Sequence, residues 1–327
     1  MDKRIKDKRV VFITTKNIDY IRNLQEQEII KNEAKEYYVI GSKSKYYVLR
    51  MLQVYFALLF FNFRKVDVVF VGFAPQLVLP VIAWRVRKKE VICDFFISLY
   101  DTFVFDRQKF KEGSLAAGCL KKLDQYTIRK SNYVIADTKA HKEYFCEEFG
   151  AKENLVEVLY ITADHNIYYP RTVERTEYKD KFVVLYFGSI LPLQGIDVIV
   201  KASKLIQDKD IVLYLIGPVK AGKLPKNVVN VPWMSQTMLA EHIAMADLCL
   251  AGHFCGSINK ARRTIPGKAY IYEMMEKPMI LGENPATHEI FNEDEKHFFV
   301  EMSNPQALAD KITEISRRVK ASETSIH

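Results

Sequence analysis

The chain has 327 residues, 49% of them hydrophobic, and a mean hydropathy of -0.10, so it has ample core-forming residues and room for two α/β domains. The net charge of +8 predicts an anionic partner, which can be phosphate, nucleic acid or an acidic membrane surface. The five cysteines are an odd number without a Cys-x-x-Cys pair, which argues against a disulfide framework and a zinc site and is typical of the reducing cytoplasm. The longest unbroken apolar run, residues 54–61, is too short for a membrane-spanning helix.

Short apolar runs alternate with helix-like stretches along the chain. In the first half, near-continuously apolar runs predict strands at 10–14, 67–72, 91–97, 133–136 and 156–161. Helices are predicted at 114–130, where Ser114 is a suitable N-cap, and at 140–149, which Gly150 closes. The stretch 164–181 loses this periodicity and is rich in charge, which predicts a linker at residues 166–181.

A second alternating series follows the linker. Its predicted strands are 182–187, 211–216, 228–231, 248–251, 279–281 and 298–300, and its predicted helices lie near 196–206, 236–245, 266–276 and 305–316. Two such series predict an α/β protein of two doubly wound Rossmann-like domains that face a cleft, residues 1–165 and 182–327. This architecture does not name a reaction, so function must come from the loops.

The first loop of the second domain, FGSILPLQGID, contains two glycines that can bring the backbone close to a ligand. Gly188 ends a strand and Gly195 opens a helix, whose N-terminal N–H groups can bind phosphate. An ordinary strand-to-helix turn explains the spacing equally well, because neither G-x-x-x-x-G-K-[ST] nor G-x-G-x-x-G is present.

A second loop, within residues 248–272, contains four cations and no Asp or Glu. Its cations are Lys260, Arg262, Arg263 and Lys268. Pro266 suits the first turn of a helix, so Lys268 would lie at the positive helix end. This arrangement favours a pyrophosphate site over a merely solvated basic loop. Trp233 is expected to fill core, with stacking near a base as the alternative.

These segments together resemble a known family. YFGSILPLQGID, LYLIGP, AMADLCLAG and RRTIPGKAYIYEMMEKPMILGE resemble the second domain of bacterial retaining glycosyltransferases of the GT-B type, in the family-four group. In the first domain, VVFVGFAPQ, CDFFISLYDTFVFDR and VIADTKAHKEYFCEEFG resemble the subset that builds polysaccharides and glycolipids. The resemblance implies a nucleotide-sugar donor, by default a UDP-sugar, and a polysaccharide or lipid-linked acceptor at the inner membrane face. No metal ion and no further cofactor are expected.

The resemblance also implies which residues bind the donor. They are the loop residues Gly188, Ser189, Gln194 and Gly195 and the cations Lys260, Arg263 and Lys268. The family commonly has an arginine and a lysine where this chain has Ser189 and Gln194. Its usual ribose- or sugar-binding glutamate falls at Ile271, and Glu273 lies about 200° around an ideal helix from that position. These departures leave room for an altered donor site or an inactive homologue.

Two carboxylates of the first domain are the candidate catalytic residues. Asp94 ends an apolar strand, and a carboxylate that caps nearby backbone amides is the favoured alternative role for it. Asp101, in the SLYD loop, is a candidate acceptor contact. Retaining transfer in this fold is expected to depend mainly on holding the donor, stabilising the leaving diphosphate and orienting the acceptor. His141 and His165 are expected at the surface or in the linker.

The aromatic segment 46–63, flanked by Lys45, Arg64 and Lys65, predicts a helix that either lies in a membrane interface or fills the first-domain core. The leading prediction is therefore a cytoplasmic glycosyltransferase at the inner face of the membrane. The competing classes are a nucleotide-sugar epimerase and a non-catalytic glycosyltransferase-like subunit that binds a partner enzyme. Nucleic-acid binding is not indicated, because no motif of that class is present.

Overall fold

The computed structural model describes residues 2–175, 177–189, 191–219 and 224–324. The chain divides into two compact units, Met1–Thr162 and Ala163–His327. The predicted end of the first domain, residue 165, lies inside the second unit, as does the predicted linker 166–181. Thr176 of that linker and the predicted domain ends Met1 and His327 lie outside the described residues.

The first unit contains a six-stranded parallel sheet. In chain order its strands are β1 (Arg9–Asn17), β2 (Glu36–Ser42), β3 (Val68–Val71), β4 (Glu90–Asp94), β5 (Tyr133–Ala136) and β6 (Val156–Val158). Its helices are α1 (Asp2–Ile5), α2 (Ile21–Glu33), α3 (Tyr47–Phe60), α4 (Leu79–Val86), α5 (Leu115–Lys130) and α6 (Lys139–Phe149). The strand order is β2-β1-β3-β4-β5-β6.

Both faces of this sheet are covered, which explains the continuous apolar runs of its central strands. On one face Val54 and Ile82 of α3 and α4 pack with Val69 of β3. On the other face Ile5 and Ile30 of α1 and α2 pack with residues of β1 and β3.

The second unit contains another six-stranded parallel sheet. Its strands are β7 (Phe182–Phe187), β8 (Ile211–Ile216), β9 (Val228–Val231), β10 (Leu248–Gly252), β11 (Met279–Gly282) and β12 (His297–Val300). Its helices are α7 (Ile196–Leu205), α8 (Gln236–Met245), α9 (Gly267–Met274) and α10 (Pro305–Thr324). The strand order is β12-β11-β10-β7-β8-β9.

The strand orders locate a switch point in each sheet. In the second unit the chain starts at β7, runs outward through β8 and β9, and returns to β10 on the other side of β7. The connections after β7 and β10 therefore leave in opposite directions and open a crevice at the carboxyl ends of these strands, where open α/β sheets bind ligands. These are the two loops in which the sequence predicts an anion site. In the first unit the corresponding switch lies between β1 and β3.

Candidate functional site

The loop after β7 is shaped by its two glycines. Gly188 has φ +152° and donates its N–H to the Ile216 carbonyl at 3.1 Å. Gly195 has φ +70°, and a Cβ there would lie 2.8 Å from the Phe254 carbonyl carbon. Only glycine accepts both this conformation and this close backbone approach. Gly195 thereby fixes the β7 loop against the chain that follows β10. Ile190, between the two glycines, lies outside the described residues.

Lys268 reaches this loop from α9. Pro266 is the N-cap of α9, one position before the predicted first turn, and Lys268 lies at the N-terminus of the helix as the sequence predicts. The Lys268 side chain is buried, and its Nζ donates a hydrogen bond to Oε1 of Gln194. The same Nζ lies 4.6 Å from the centroid of the Tyr186 ring. The partners of this ammonium are thus a neutral amide and an aromatic face.

Burial lowers the pKa of Lys268 to about 7, because removal from water disfavours the charged form. Within the described part of the chain, no carboxylate forms an ion pair with this amine that would raise the pKa again. A buried cation without an anionic partner is costly to the fold. A bound anion would supply the missing partner.

The last residue of β10 and the residue after it belong to the site, and the sequence analysis did not select either of them. Gly252 has φ +78°, and a Cβ there would lie 3.1 Å from Oε1 of Gln194 and 3.7 Å from Nζ of Lys268. His253 is buried, with Nδ1 at 3.3 Å from Oγ1 of Thr264. Burial, together with the positive charge of Lys268, lowers the pKa of His253 to about 3, so the imidazole is neutral. The available signal was their position directly after a strand, inside the acid-free loop.

The Tyr186 hydroxyl is the third element that the sequence analysis missed. The side chain is 1% exposed, and its hydroxyl has no hydrogen-bond partner among the described residues. A Cβ at Gly188 would lie 3.2 Å from this oxygen. Burial raises the pKa of Tyr186, so the hydroxyl stays protonated. Beside Gly188 the site therefore offers an unpaired donor as well as the amine of Lys268.

The other predicted donor-site residues surround this core to different degrees. Lys260 lies partly exposed in a 3₁₀ turn, Asn259–Arg262, and its charge also lowers the pKa of His253. Arg263 follows that turn and is partly buried, whereas Ser189 is exposed. The structure thus brings Gly188, Gln194, Gly195 and Lys268 together. Their donor-binding role stays a prediction.

The position that corresponds to the glutamate of the resembled family is occupied by a buried apolar residue. Ile271 is buried in α9. Glu273, two residues later, accepts a hydrogen bond from Nε2 of His297 at 2.6 Å. Its carboxylate is therefore engaged on another face of the helix, in agreement with the angular separation expected from sequence.

The prediction that Trp233 fills core is wrong, because its side chain is 52% exposed. Its ring lies beside the end of β8, where a Cβ on Gly217 would come within 3.7 Å of Cε2. Trp233 follows β9 at the carboxyl ends of the strands, so a solvent-exposed aromatic ring is present at this end of the sheet.

In the first unit, Asp94 is the last residue of β4 and belongs to a buried ion pair. Its two carboxylate oxygens accept hydrogen bonds from Nε and Nη2 of Arg22 at 3.0 and 3.2 Å. Glu26, also fully buried, lies 3.6 Å from Nε of Arg22. Burial and the charge of Asp94 raise the pKa of Glu26 well above its usual range, which favours a proton on that carboxyl. Asp94 thus neutralises Arg22 rather than capping backbone amides.

Asp101 begins a π-helical turn, Asp101–Asp106, and is buried. Its backbone N–H donates to Oγ of Ser98 at 2.9 Å. Asp124 of α5, which the sequence analysis did not select, holds the same loop: it accepts from Oγ of Ser98 and the N–H of Tyr100 at 2.7 and 2.8 Å. The loop that carries Asp101 is therefore anchored to α5, and π-helical turns are frequent at functional sites.

His141 lies in the interior, so the surface expectation for it is wrong; His165 is exposed as expected. Nδ1 of His141 lies 2.5 Å from Oδ1 of Asp137, the residue after β5. Although burial alone would raise it, the pKa of Asp137 is lowered by His141 and Arg22. Because the two residues are four positions apart at the start of α6, their side chains lie on the same side of the chain, which is the side that is buried.

Comparison with known proteins gives a family match for part of the second unit and a fold for the whole chain. Residues 181–318 match the family model described as Glycosyl transferases group 1. The chain has no match among curated protein sequences. The fold of the chain is that of GT-B glycosyltransferases, two doubly wound Rossmann-like units, and the segment that matches the family model lies in the second unit.

Solved structures share this fold along most of the chain. HepE of Anabaena, solved in complex with UDP and in another structure with UDP-glucose, has a TM-score of 0.64 at 14% identity over 95% of this chain and 90% of its own. The sucrose-phosphate synthase of Thermosynechococcus elongatus has a TM-score of 0.68 at 12% identity over 94% and 90%. A glycosyltransferase of Rickettsia africae ESF-5 has a TM-score of 0.62 at 13% identity over 95% and 89%. At these identities the likeness shows the fold alone.

Proposed function

We propose that this protein is a retaining glycosyltransferase that moves a sugar from a UDP-sugar to a polysaccharide or lipid-linked acceptor. The observation that carries the proposal is the buried Lys268, which has no carboxylate partner in the described chain and lies at the switch point of a glycosyl transferases group 1 domain. A buried lysine without an anionic partner does not stabilise the fold. The negative charge of a diphosphate donor would compensate its positive charge.

The site's chemistry suits a leaving diphosphate. As the bond from the sugar to the diphosphate breaks, negative charge grows on the leaving oxygen, and the Lys268 ammonium with the N–H groups at the start of α9 would stabilise it. The Tyr186 hydroxyl is a neutral donor beside Gly188. Gly188 and Gly252 leave open the space that a side chain would fill.

Trp233 is proposed to stack on the base, because its exposed ring stands at the same edge of the sheet. UDP is proposed as the nucleotide from the family resemblance, and the binding of UDP by HepE, which has the same fold, supports that choice. Retention and the class of acceptor come from the resemblance. In the first unit Asp101 remains the candidate acceptor contact, whereas the carboxylate of Asp94 is engaged by Arg22. The proposed location of the enzyme is the inner face of the membrane.

The proposal is tested by nucleotide binding. The wild-type melting temperature is measured against UDP-, GDP-, dTDP- and CMP-sugars, because a ligand that binds the native state raises stability. We expect a saturable rise with UDP-sugars that disappears in Lys268→Met. The matched control is Lys204→Met, which removes one exposed cation from α7 and should respond like the wild type. No response of the wild type to any donor, or an undiminished response of Lys268→Met, would contradict the assignment.

A second candidate, a non-catalytic subunit that binds a partner enzyme, is favoured by Ile271. A buried apolar side chain stands where the family has a hydrogen-bonding glutamate. Incubation with UDP-glucose and a mixture of acceptor glycans, followed by mass spectrometry, separates the two. Transfer establishes the enzyme, and NMR of the product's anomeric proton reports retention. Nucleotide binding without transfer or hydrolysis supports the subunit.

A further inference from the structure

One face of the first unit carries an unusual amount of exposed apolar surface. The outward side chains of α3 are from 46% to 70% exposed: Val48, Leu49, Leu52, Phe56, Leu59 and Phe60. Trp84 and Val81 of α4 add side chains that are 74% and 50% exposed. We call these eight residues the α3–α4 surface. Exposed patches of this kind mark interaction sites.

This surface is separate from the core. The inner face of α3 carries Val54 and Leu58, which pack on the sheet, and the buried Arg50, whose Nε donates to the Thr15 carbonyl at 2.9 Å. The outward residues recur at helical spacing on the opposite side. α3 is therefore apolar on both faces, and the core interpretation accounts for only one of them.

The chain segment that carries this surface is strongly positive. Residues 37–89 contain nine Lys and Arg and a single acid, Asp67, which pairs with Arg9 at 2.7 Å. Five of the cations are exposed and have no ion pair among the described residues: Lys45, Arg64, Lys65, Arg87 and Lys88. Three of them, Arg64, Arg87 and Lys88, line a concavity of about 660 Å³ together with Trp84.

The basic cluster and the apolar side chains are adjacent. Arg85 of α4 donates hydrogen bonds from its guanidinium to the carbonyls of Leu58 and Phe61 at the end of α3. This bond pair fixes Trp84 and the basic end of α4 beside the last turn of α3. Apolar side chains and unpaired cations thus form one continuous face.

We propose that this face binds the surface of an anionic phospholipid bilayer, with α3 lying in the interface. A bilayer accepts Phe, Leu and Trp side chains without shape complementarity, and its phosphates pair with the neighbouring cations. A second copy of the chain docking through the same face would bring like charges together. No helix among the described residues is long and apolar enough to span a membrane.

The test is flotation of the purified full chain with phosphatidylcholine vesicles, with and without 30% phosphatidylglycerol as probe. We expect strong binding only with the anionic lipid. Arg64→Gln, Lys65→Gln, Arg87→Gln and Lys88→Gln together should lower the partition coefficient roughly a hundredfold to a thousandfold, because each cation near an anionic surface adds about fivefold at most. A control that removes four exposed cations elsewhere, Lys31→Gln, Lys35→Gln, Lys130→Gln and Lys152→Gln, should bind like the wild type.

A second variant, Phe56→Gln with Phe60→Gln and Trp84→Gln, tests the apolar half and should also abolish flotation. Leu115→Gln, a side chain that is 92% exposed on α5, is its control. Circular dichroism melts establish that each variant is folded. The proposal is overturned if the wild type stays out of the anionic vesicle fraction, or if the control variants lose binding equally. It is also overturned if the only effect of the apolar variant is to dissociate a dimer seen by sedimentation.

Discussion

If Lys268 holds the donor diphosphate, donor affinity must depend on pH. With a pKa of about 7 in the free protein, the amine is charged at pH 6 and largely neutral at pH 8.5. A bound diphosphate favours the charged form, so binding above pH 7 requires uptake of one proton. The apparent Kd should rise about tenfold for each pH unit above 7, which is roughly thirtyfold between pH 6 and pH 8.5.

The assay is calorimetric titration with UDP-glucose, whose diphosphate carries no group that titrates in this range. Titrations in buffers of different ionisation enthalpy should show close to one proton taken up per ligand at pH 8.5 and almost none at pH 6. His253 cannot produce this signal, because its pKa of about 3 keeps it neutral throughout. Lys260→Met should weaken binding but keep the pH slope, since Lys268 remains. A Kd that is independent of pH, with no proton uptake, would refute the contact between Lys268 and the diphosphate.

The remaining predictions concern stability. Lys268→Met should raise the free energy of unfolding of the free protein at pH 7 by up to about 4 kcal/mol, measured by urea unfolding. The fall in the pKa of Lys268 from 10.5 to about 7 destabilises the folded state, fully below pH 7 and not at all above pH 10.5. Equal stabilities of the two proteins at pH 7 would contradict this. Gly195→Ala should destabilise by about 1–3 kcal/mol through its φ of +70° and the contact with Phe254, while Gly267→Ala, which meets nothing within 4 Å, should not; a calorimetric melting scan in which both behave alike would argue against the close approach. Asp94→Asn should cost about 3–5 kcal/mol because it leaves Arg22 buried without its bidentate carboxylate, and a stability within about 1 kcal/mol of wild type would show the ion pair to be dispensable.

Much of the fold could be predicted because its strands are buried on both faces. Of the second-unit strands, 182–187, 211–216 and 228–231 coincide with the observed bounds, and α8 does too. The first unit was harder: β2, α2 and α4 were not predicted. β2 is an edge strand with partly exposed residues, so its apolar run is broken. In α2 the buried residues include Arg22, Asn23 and Glu26, and an internal polar cluster of this kind hides the amphipathic period.

The site was predicted where glycine and charge patterns are local, and missed where neighbours are distant in sequence. Gly188, Gly195 and Lys268 stand out because backbone freedom and a cation without acids can be seen in a short window. Tyr186 lies inside a predicted strand, and Gly252 and His253 follow another one, so nothing local marks them before the sheet order places β10 beside β7. Trp233 was predicted to be buried and is exposed, whereas His141 was predicted at the surface and is buried. The average burial of a residue type does not say which side of an element faces the core.

The hydrogen bond from Lys268 to Gln194 joins residues 74 positions apart, one on each side of the switch point. It connects the chain after β7 with the helix after β10 through a neutral acceptor, so no opposite charge balances the amine. A diphosphate bound there would form an ionic cross-link between the two halves of the sheet at the carboxyl ends of their strands. Amide hydrogens in β7 and β10 should then exchange more slowly in the complex, while the edge strands β9 and β12 would feel the ligand least. In such a protein the substrate is also a structural part of the domain for as long as it stays bound.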